Sequence, residues 1–218
     1  MNPRNASKAA ILENIRALNA GAVRGDYDSD DYASIDRAYR RAPALERDAC
    51  IELMIERLRE YDAEVVECTA GTLSETIAAQ LAASGRRRFV APAGLAPEWM
   101  AAGYEWRVDD GLTQDEIEAA EGVLTACFCA VADSGTIVLH HGLEEGRRIL
   151  TLLPDWHLCV LRESQIVEVL PEYFVRVSEP PVLATYISGP SATADIEMTR
   201  IKGVHGPRFL HVILVRGC

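Results

Sequence analysis

Val65-Val-Glu-Cys-Thr-Ala-Gly-Thr-Leu-Ser-Glu75, with the helix-compatible run to Gly85 and then Phe89-Val-Ala91, is the stretch that decides the fold. Val65 and Val66 favour a strand. Thr72 and Glu75 stand at capping-box spacing, at which a hydroxyl and a carboxylate satisfy free amides of a helix start, and Gly85 supplies the stop. A strand, a helix and a second strand follow one another. A short helix is expected near Pro97–Ala102, and Thr113-Gln-Asp-Glu116 repeats the capping spacing before another. Further apolar runs stand at Leu124–Ala132, Thr136–Leu139, Leu158–Leu161, Val182–Ile187 and Val212–Val215. They are continuous rather than alternating, the pattern of strands covered on both faces. The expectation is an α/β fold in one domain over residues 63–218: a mainly parallel sheet flanked by helices.

Residues 1–62 read as an N-terminal helical extension. Ala10, Ile11, Ile15 and Leu18 follow Ser7 at roughly helical spacing. Asp26, Asp28, Asp30 and Asp31 crowd a polar stretch that lacks the glycine and distal glutamate of a calcium loop, so a solvated loop is expected. Cys50, Leu53, Met54, Leu58 and Tyr61 then form the stripe of a helix packed on something larger.

Composition narrows the function. The 218 residues are 49% hydrophobic and 25% charged, close to globular averages, which excludes a wholly disordered or fibrous chain. The net charge of -11, from 33 acidic and 22 basic residues, argues against a nucleic-acid partner. The longest nearly unbroken apolar run, Val123–Ala132, is about half of the ~20 residues a membrane span needs. Glu13, Asn14 and Arg16 interrupt the N-terminal candidate for a secretory signal, so a cytoplasmic location is expected. Six scattered cysteines then imply free thiols rather than a disulfide framework. Cys127-x-Cys129, expected to face one way on a strand, has no second pair to complete a metal site, and no metal is expected.

Chemistry concentrates in two loops and the tail. Ile187-Ser-Gly-Pro-Ser-Ala-Thr-Ala-Asp-Ile-Glu197 reads as strand, turn and helix, with Gly189 permitting a tight approach and Ser188, Ser191 and Thr193 placed beside unpaired helix amides. Such an end attracts anions; equally, the hydroxyls and Asp195 could serve as the helix's own cap. The twenty-one residues after Glu197 contain Arg200, Lys202, Arg208 and Arg216 and no acid. Lys202, His205 and Arg208 lie on the glycine-rich loop before Leu210–Val215, where a carboxylate or phosphate could be held, Arg208 offering a bidentate contact. In Ala132-Asp-Ser-Gly-Thr136, Asp133 reads as a nucleophile, a general base or a turn residue.

Val131-Ala-Asp-Ser-Gly-Thr-Ile-Val-Leu139, Arg147-Arg-Ile-Leu-Thr-Leu-Leu-Pro-Asp-Trp-His157, the Ile187–Glu197 stretch and Gly203-Val-His-Gly-Pro-Arg208 together resemble the lactate utilization protein C family, whose members share the LUD domain. The resemblance runs in order from about residue 63 to 218. It implies a fold similar to the sugar-phosphate isomerase and CoA-transferase-like superfamily. It also implies participation, with two iron–sulfur partner proteins, in oxidising L-lactate to pyruvate. The clusters belong to those partners, since this chain has no Cys-x-x-Cys, and no cofactor is expected in it.

Three functions remain open on the sequence. The first is a non-redox subunit binding a small anionic metabolite through Ser134, Gly135, Thr136, Ser188, Gly189, Ser191, Thr193, Glu197, Lys202 and Arg208. The second is an acyl or CoA transferase, or a sugar-phosphate isomerase, with Asp133 or Asp195 as nucleophile or base and His205 moving a proton. The third is a scaffold or regulatory subunit whose loops meet a protein.

Overall fold

The structure is a computed structural model that describes residues 10–17, 34–36, 38–189, 192–194, 200–202 and 206–218, with only the backbone of 192–194 and 200–202. Asp26–Asp31 lie outside the described residues, as do Ser191, Asp195, Glu197 and His205. The chain forms two compact units, residues 1–39 and 40–218. In the first, residues 10–17 form a helix.

The second unit runs α1 (Arg47–Glu60), β1 (Glu64–Thr69), α2 (Leu73–Ser84), β2 (Arg88–Pro92), β3 (Glu105–Asp109), α3 (Gln114–Glu118) and β4 (Gly122–Thr125). It continues through β5 (Cys129–Val131), β6 (Thr136–Leu139), β7 (Trp156–Arg162), β8 (Ile166–Val167), α4 (Leu170–Arg176) and β9 (Thr185–Ile187). β10 (Ala192–Ala194), β11 (Arg200–Lys202) and β12 (Phe209–Arg216) follow. Six strands form one wholly parallel sheet in the order β1-β12-β7-β4-β2-β3. The expected α/β fold with a mainly parallel sheet is what forms.

Both faces of this sheet are covered. On one, Cys159, Leu161, Leu210, Val212 and Leu214 pack against Ile51, Met54, Ile55 and Leu58 of α1. On the other, Leu158, Val160, Ile213 and Val215 meet Leu73, Ile77 and Leu81 of α2. Each such aliphatic side chain contributes about 1.5–3 kcal/mol on full burial, and this two-sided cover is why the strands read as unbroken apolar runs.

Four expectations are corrected. The run Leu124–Ala132 is not one strand: β4 stops at Thr125 and β5 starts at Cys129 in a separate four-stranded sheet ordered β8-β5-β6-β9. In that second sheet β6 runs antiparallel to both neighbours. The bridging Ala126 and Cys127 are buried as well, so apolarity hides the break. Cys127 and Cys129 consequently enter different cores, Cys127 with α1 and Cys129 with Val131, Val138 and Tyr173.

The third correction concerns capping. Thr113 and Glu116 form the expected box, Glu116 N donating to Thr113 Oγ1 at 3.3 Å and Thr113 N to Glu116 Oε2 at 2.9 Å. Thr72 instead faces backwards, its Oγ1 accepting from Thr69 N at 3.2 Å, because a tight turn over Ala70–Thr72 precedes α2. The fourth lies after Gly189. Ala192–Ala194 is not a helix start but a strand antiparallel to β11, with the β-branched Thr193 opposite Ile201.

Two glycines fix how α1 meets the second sheet. Gly135, with φ 61°, ends the turn between β5 and β6, and a Cβ there would lie 2.7 Å from Arg57 Cβ. Gly189, with φ 87°, follows β9, and its Cβ would stand 2.4 Å from Tyr61 Cβ. Both positions require the left-handed backbone and the missing side chain.

Candidate functional site

The pairing of β6 with β9 sets Ile137 opposite Ile187, which brings the ends of two distant loops together. Ser134 Oγ lies 2.8 Å from Thr136 Oγ1, and Thr136 Oγ1 lies 2.8 Å from Ser188 Oγ. Two stretches picked out in the sequence, one for its hydroxyls and one for Asp133, thus share one chain of hydrogen bonds, with Gly135 and Gly189 beside it.

Beside Ser188 opens a cavity of about 250 Å³, lined among others by Arg148, Thr151, His157, Ser188, Gly189 and Leu210. His157 is the second residue of β7 and is buried. Its Nε2 lies 2.8 Å from Thr125 Oγ1 on the neighbouring β4. Burial pulls its pKa down from 6.5 to about 4, so the ring is neutral at physiological pH. Arg148 opens the tight turn Arg148–Thr151, and its exposed guanidinium has no carboxylate partner among the described residues. The buried Thr151 hydroxyl donates to Arg148 O at 3.2 Å. Thr185, on the same wall, is held by His141, whose Nδ1 donates to Gly146 O at 2.9 Å and whose Nε2 lies 2.8 Å from the Thr185 hydroxyl.

The structure separates other expected members from this group. Arg208 makes a bidentate pair with Asp155, Nη2 standing 2.9 Å from Oδ2, and its guanidinium is committed there. Asp133 lies 3.3 Å from the Arg40 guanidinium, which also bonds the buried Glu168 carboxylate. Glu168 takes the amides of Ala44 and Leu45 at 2.6 and 2.7 Å. Burial pushes its pKa up, but those amides and Arg40 outweigh it and hold the carboxyl below its ordinary range. Thr193 and Lys202 stand on β10 and β11.

Arg148, Thr151 and His157 are the members that sequence reasoning missed. All three lie within Arg147–His157, one of the stretches that carried the family resemblance, and the signal is an arginine pair and a histidine flanking the largely apolar Ile149–Trp156. Among the described residues, no three His, Cys, Asp or Glu side chains are placed to hold a metal, and no helix is long and apolar enough to cross a membrane.

The family model of the LUD domain matches residues 8–215. The chain belongs to the LUD domain family. Lactate utilization protein C of Deinococcus radiodurans is 39% identical to this LUD-domain chain over 178 residues, 78% of the chain and 82% of the relative. The Bacillus subtilis protein of the same name is 33% identical over 134 residues, 56% of the chain and 55% of the relative. In three dimensions this LUD domain is similar to the crystal structure of a DUF162 family protein from Deinococcus radiodurans. The TM-score is 0.66 at 35% identity, covering 79% of this chain and 99% of that one.

Proposed function

We propose that this chain serves lactate utilization as a non-redox subunit that holds a small carboxylate-bearing metabolite in the cavity between β9, β12 and the Arg148–Thr151 turn. The observation that carries the reading is convergence: the Arg148 guanidinium, without a carboxylate partner among the described residues, the hydroxyls of Thr151 and Ser188 and a neutral imidazole meet on about 250 Å³. That volume lies below the ~300 Å³ at which drug-sized pockets begin, so the ligand is small. In this reading Arg148 takes the role expected of Arg208, because Asp155 occupies Arg208. The names of the relatives supply the lactate context, and the family resemblance supplies iron–sulfur proteins as the redox partners. Six unpaired cysteines suit the reducing cytoplasm.

Calorimetry and thermal shift with lactate, pyruvate and sugar phosphates test this reading, since a ligand of the native state raises apparent stability. A charge-assisted hydrogen bond is worth about 1.5–3 kcal/mol, so Arg148→Ala is expected to weaken binding by roughly 10- to 150-fold. Arg208→Ala is expected to leave it unchanged. Unaltered affinity in Arg148→Ala, or silence across the panel, overturns the reading.

A further inference from the structure

Among the described residues, two that are not glycine take a left-handed backbone: Asp62, with φ 64°, and His141, with φ 59°. Asp62 stands just past α1, where chains commonly leave a helix in that conformation. His141 ends no helix. It lies two residues past β6, and strain of this kind is kept where it serves a site. Glu145 holds it in place: this buried carboxylate accepts the amides of His140 and Gly142, the residues on either side of His141. Between those anchors the His141 ring spans from the Gly146 carbonyl, at 2.9 Å, to the Thr185 hydroxyl, at 2.8 Å. Thr185 pairs with Leu139 and lines the cavity of about 250 Å³.

The Gly146 carbonyl can only accept, so Nδ1 carries a proton in the neutral and the charged ring alike. Nε2 is therefore the atom that titrates, in the side chain type that ordinarily does so between pH 5 and 8. Its state decides what Thr185 offers. Against a bare Nε2 the hydroxyl gives its one proton to the ring and turns only lone pairs to the cavity. Against Nε2–H it accepts instead, and its proton is free for a ligand. Other hydroxyl donors on this wall are few: Thr151 gives its proton to Arg148 O, and Ser188 is joined to Thr136.

The charges around His141 favour its protonated form once an anion binds. Glu145 lies beside it; burial pushes the Glu145 pKa up, while the amides of Gly142, His140 and His141 and the His141 ring pull it down. Burial holds His140 below its ordinary range, so that ring is neutral at pH 7, its Nε2 lying 2.8 Å from the Tyr173 hydroxyl. Tyr186 of β9 donates to the same hydroxyl. Elsewhere in the turn, Glu144 pairs with Arg162 and Arg147 with Asp109. Arg148, on the cavity wall with Thr185, is the cation that opposes a second positive charge, and a carboxylate paired with it removes that opposition.

We propose that His141 is a positioning residue of this cavity: by taking up a proton it converts Thr185 into a donor, so that a small carboxylate and one proton bind together. This role rests on the function proposed above and deepens it, because a neutral ligand leaves Arg148 unopposed and draws no proton.

Isothermal titration calorimetry of the full chain with pyruvate and with lactate, in buffers of different ionisation enthalpy, tests the role. The wild type is expected to take up a proton on binding, at most one per site, and to bind more tightly as pH falls from 8 towards 6, by at most about tenfold per unit. His157, with its pKa at about 4, titrates below that window. His141→Asn keeps a residue that tolerates the left-handed backbone but cannot titrate, and Thr185→Val keeps the branched shape without the hydroxyl. Both are expected to bind more weakly near pH 6, with no proton uptake and a flat pH profile. Uptake that persists in either variant overturns the role, and so does wild-type binding without uptake; the function proposed above survives both results. No binding of either probe overturns that function and this role with it.

Discussion

Ile213 on β12 is wholly buried between β1, β7 and α2, whereas Ile187 on β9 keeps part of its surface at the edge of the second sheet and borders the cavity. Both are isoleucines on strands, yet one belongs to a structure closed on both faces and the other to a structure left open beside its site. The parallel sheet fixes where β7 and β12 begin, and His157 and Leu210 enter the cavity from those first residues. The second sheet brings the hydroxyls of Thr136 and Ser188 up to that fixed wall. The second sheet is buried along β5, β6 and β8 and opens only at its edge strand β9, so polar chemistry gathers at that edge, against a rigid scaffold.

Matched truncations give the largest expected effect. Ile213→Ala should cost about 2–5 kcal/mol, since the surrounding side chains cannot close the void. Ile187→Ala should cost below about 2 kcal/mol, because its environment opens to a cavity that water already reaches. Urea denaturation of both variants measures the difference, and equal losses would erase the distinction between the two sheets.

His157 sits where the two regions meet, and acid should sharpen the comparison there. Its pKa is about 4 in the fold, below the 6.5 of an unfolded chain. Protons therefore bind the unfolded state more readily as pH falls. The histidine's stabilising contribution is complete above about pH 6.5 and is lost progressively as pH drops through 4, for a maximum of about 3 kcal/mol. Glu168, held low, loses its contribution in acid too, so the wild type alone is not diagnostic. Stability of His157→Gln followed from pH 7 to about 4 isolates the histidine: its curve should be flatter than that of the wild type. Parallel curves would mean that His157 takes up its proton without cost.

The parallel sheet was legible from the sequence because continuous apolar runs, Gly85 and the Thr113–Glu116 box all state local rules. The border was not. Ala126 and Cys127 are as apolar as the strands they connect, so nothing in Leu124–Ala132 marks the passage from one sheet to the other. His157 was hidden between Trp156 and Leu158 for the same reason. Ser188, Gly189, Ser134 and Thr136 stood out as turn chemistry after strands, but their meeting depends on β6 finding β9, a long-range pairing with no local signature. The pairing of Arg208 with Asp155 was equally hidden, since a linear reading does not place Asp155 opposite it.

Asp133 gives the smallest expected effect on stability and the sharpest on chemistry. It lies in the turn between β5 and β6, more than half exposed, and shares Arg40 with the buried Glu168. Asp133→Asn removes one charge from that trio while Arg40 keeps its better-buried partner, so the loss should stay below about 1 kcal/mol, the range of exposed ion pairs. Ligand-induced thermal shift should equal that of the wild type, because Asp133 is not on the cavity wall. If the purified variant binds normally and yet loses a turnover that the wild type performs, the reacting group is Asp133 and the open border of the second sheet is catalytic. If both binding and any turnover persist, the turn serves only to hold Arg40 over Glu168, and the chemistry of this domain belongs to the Arg148 cavity.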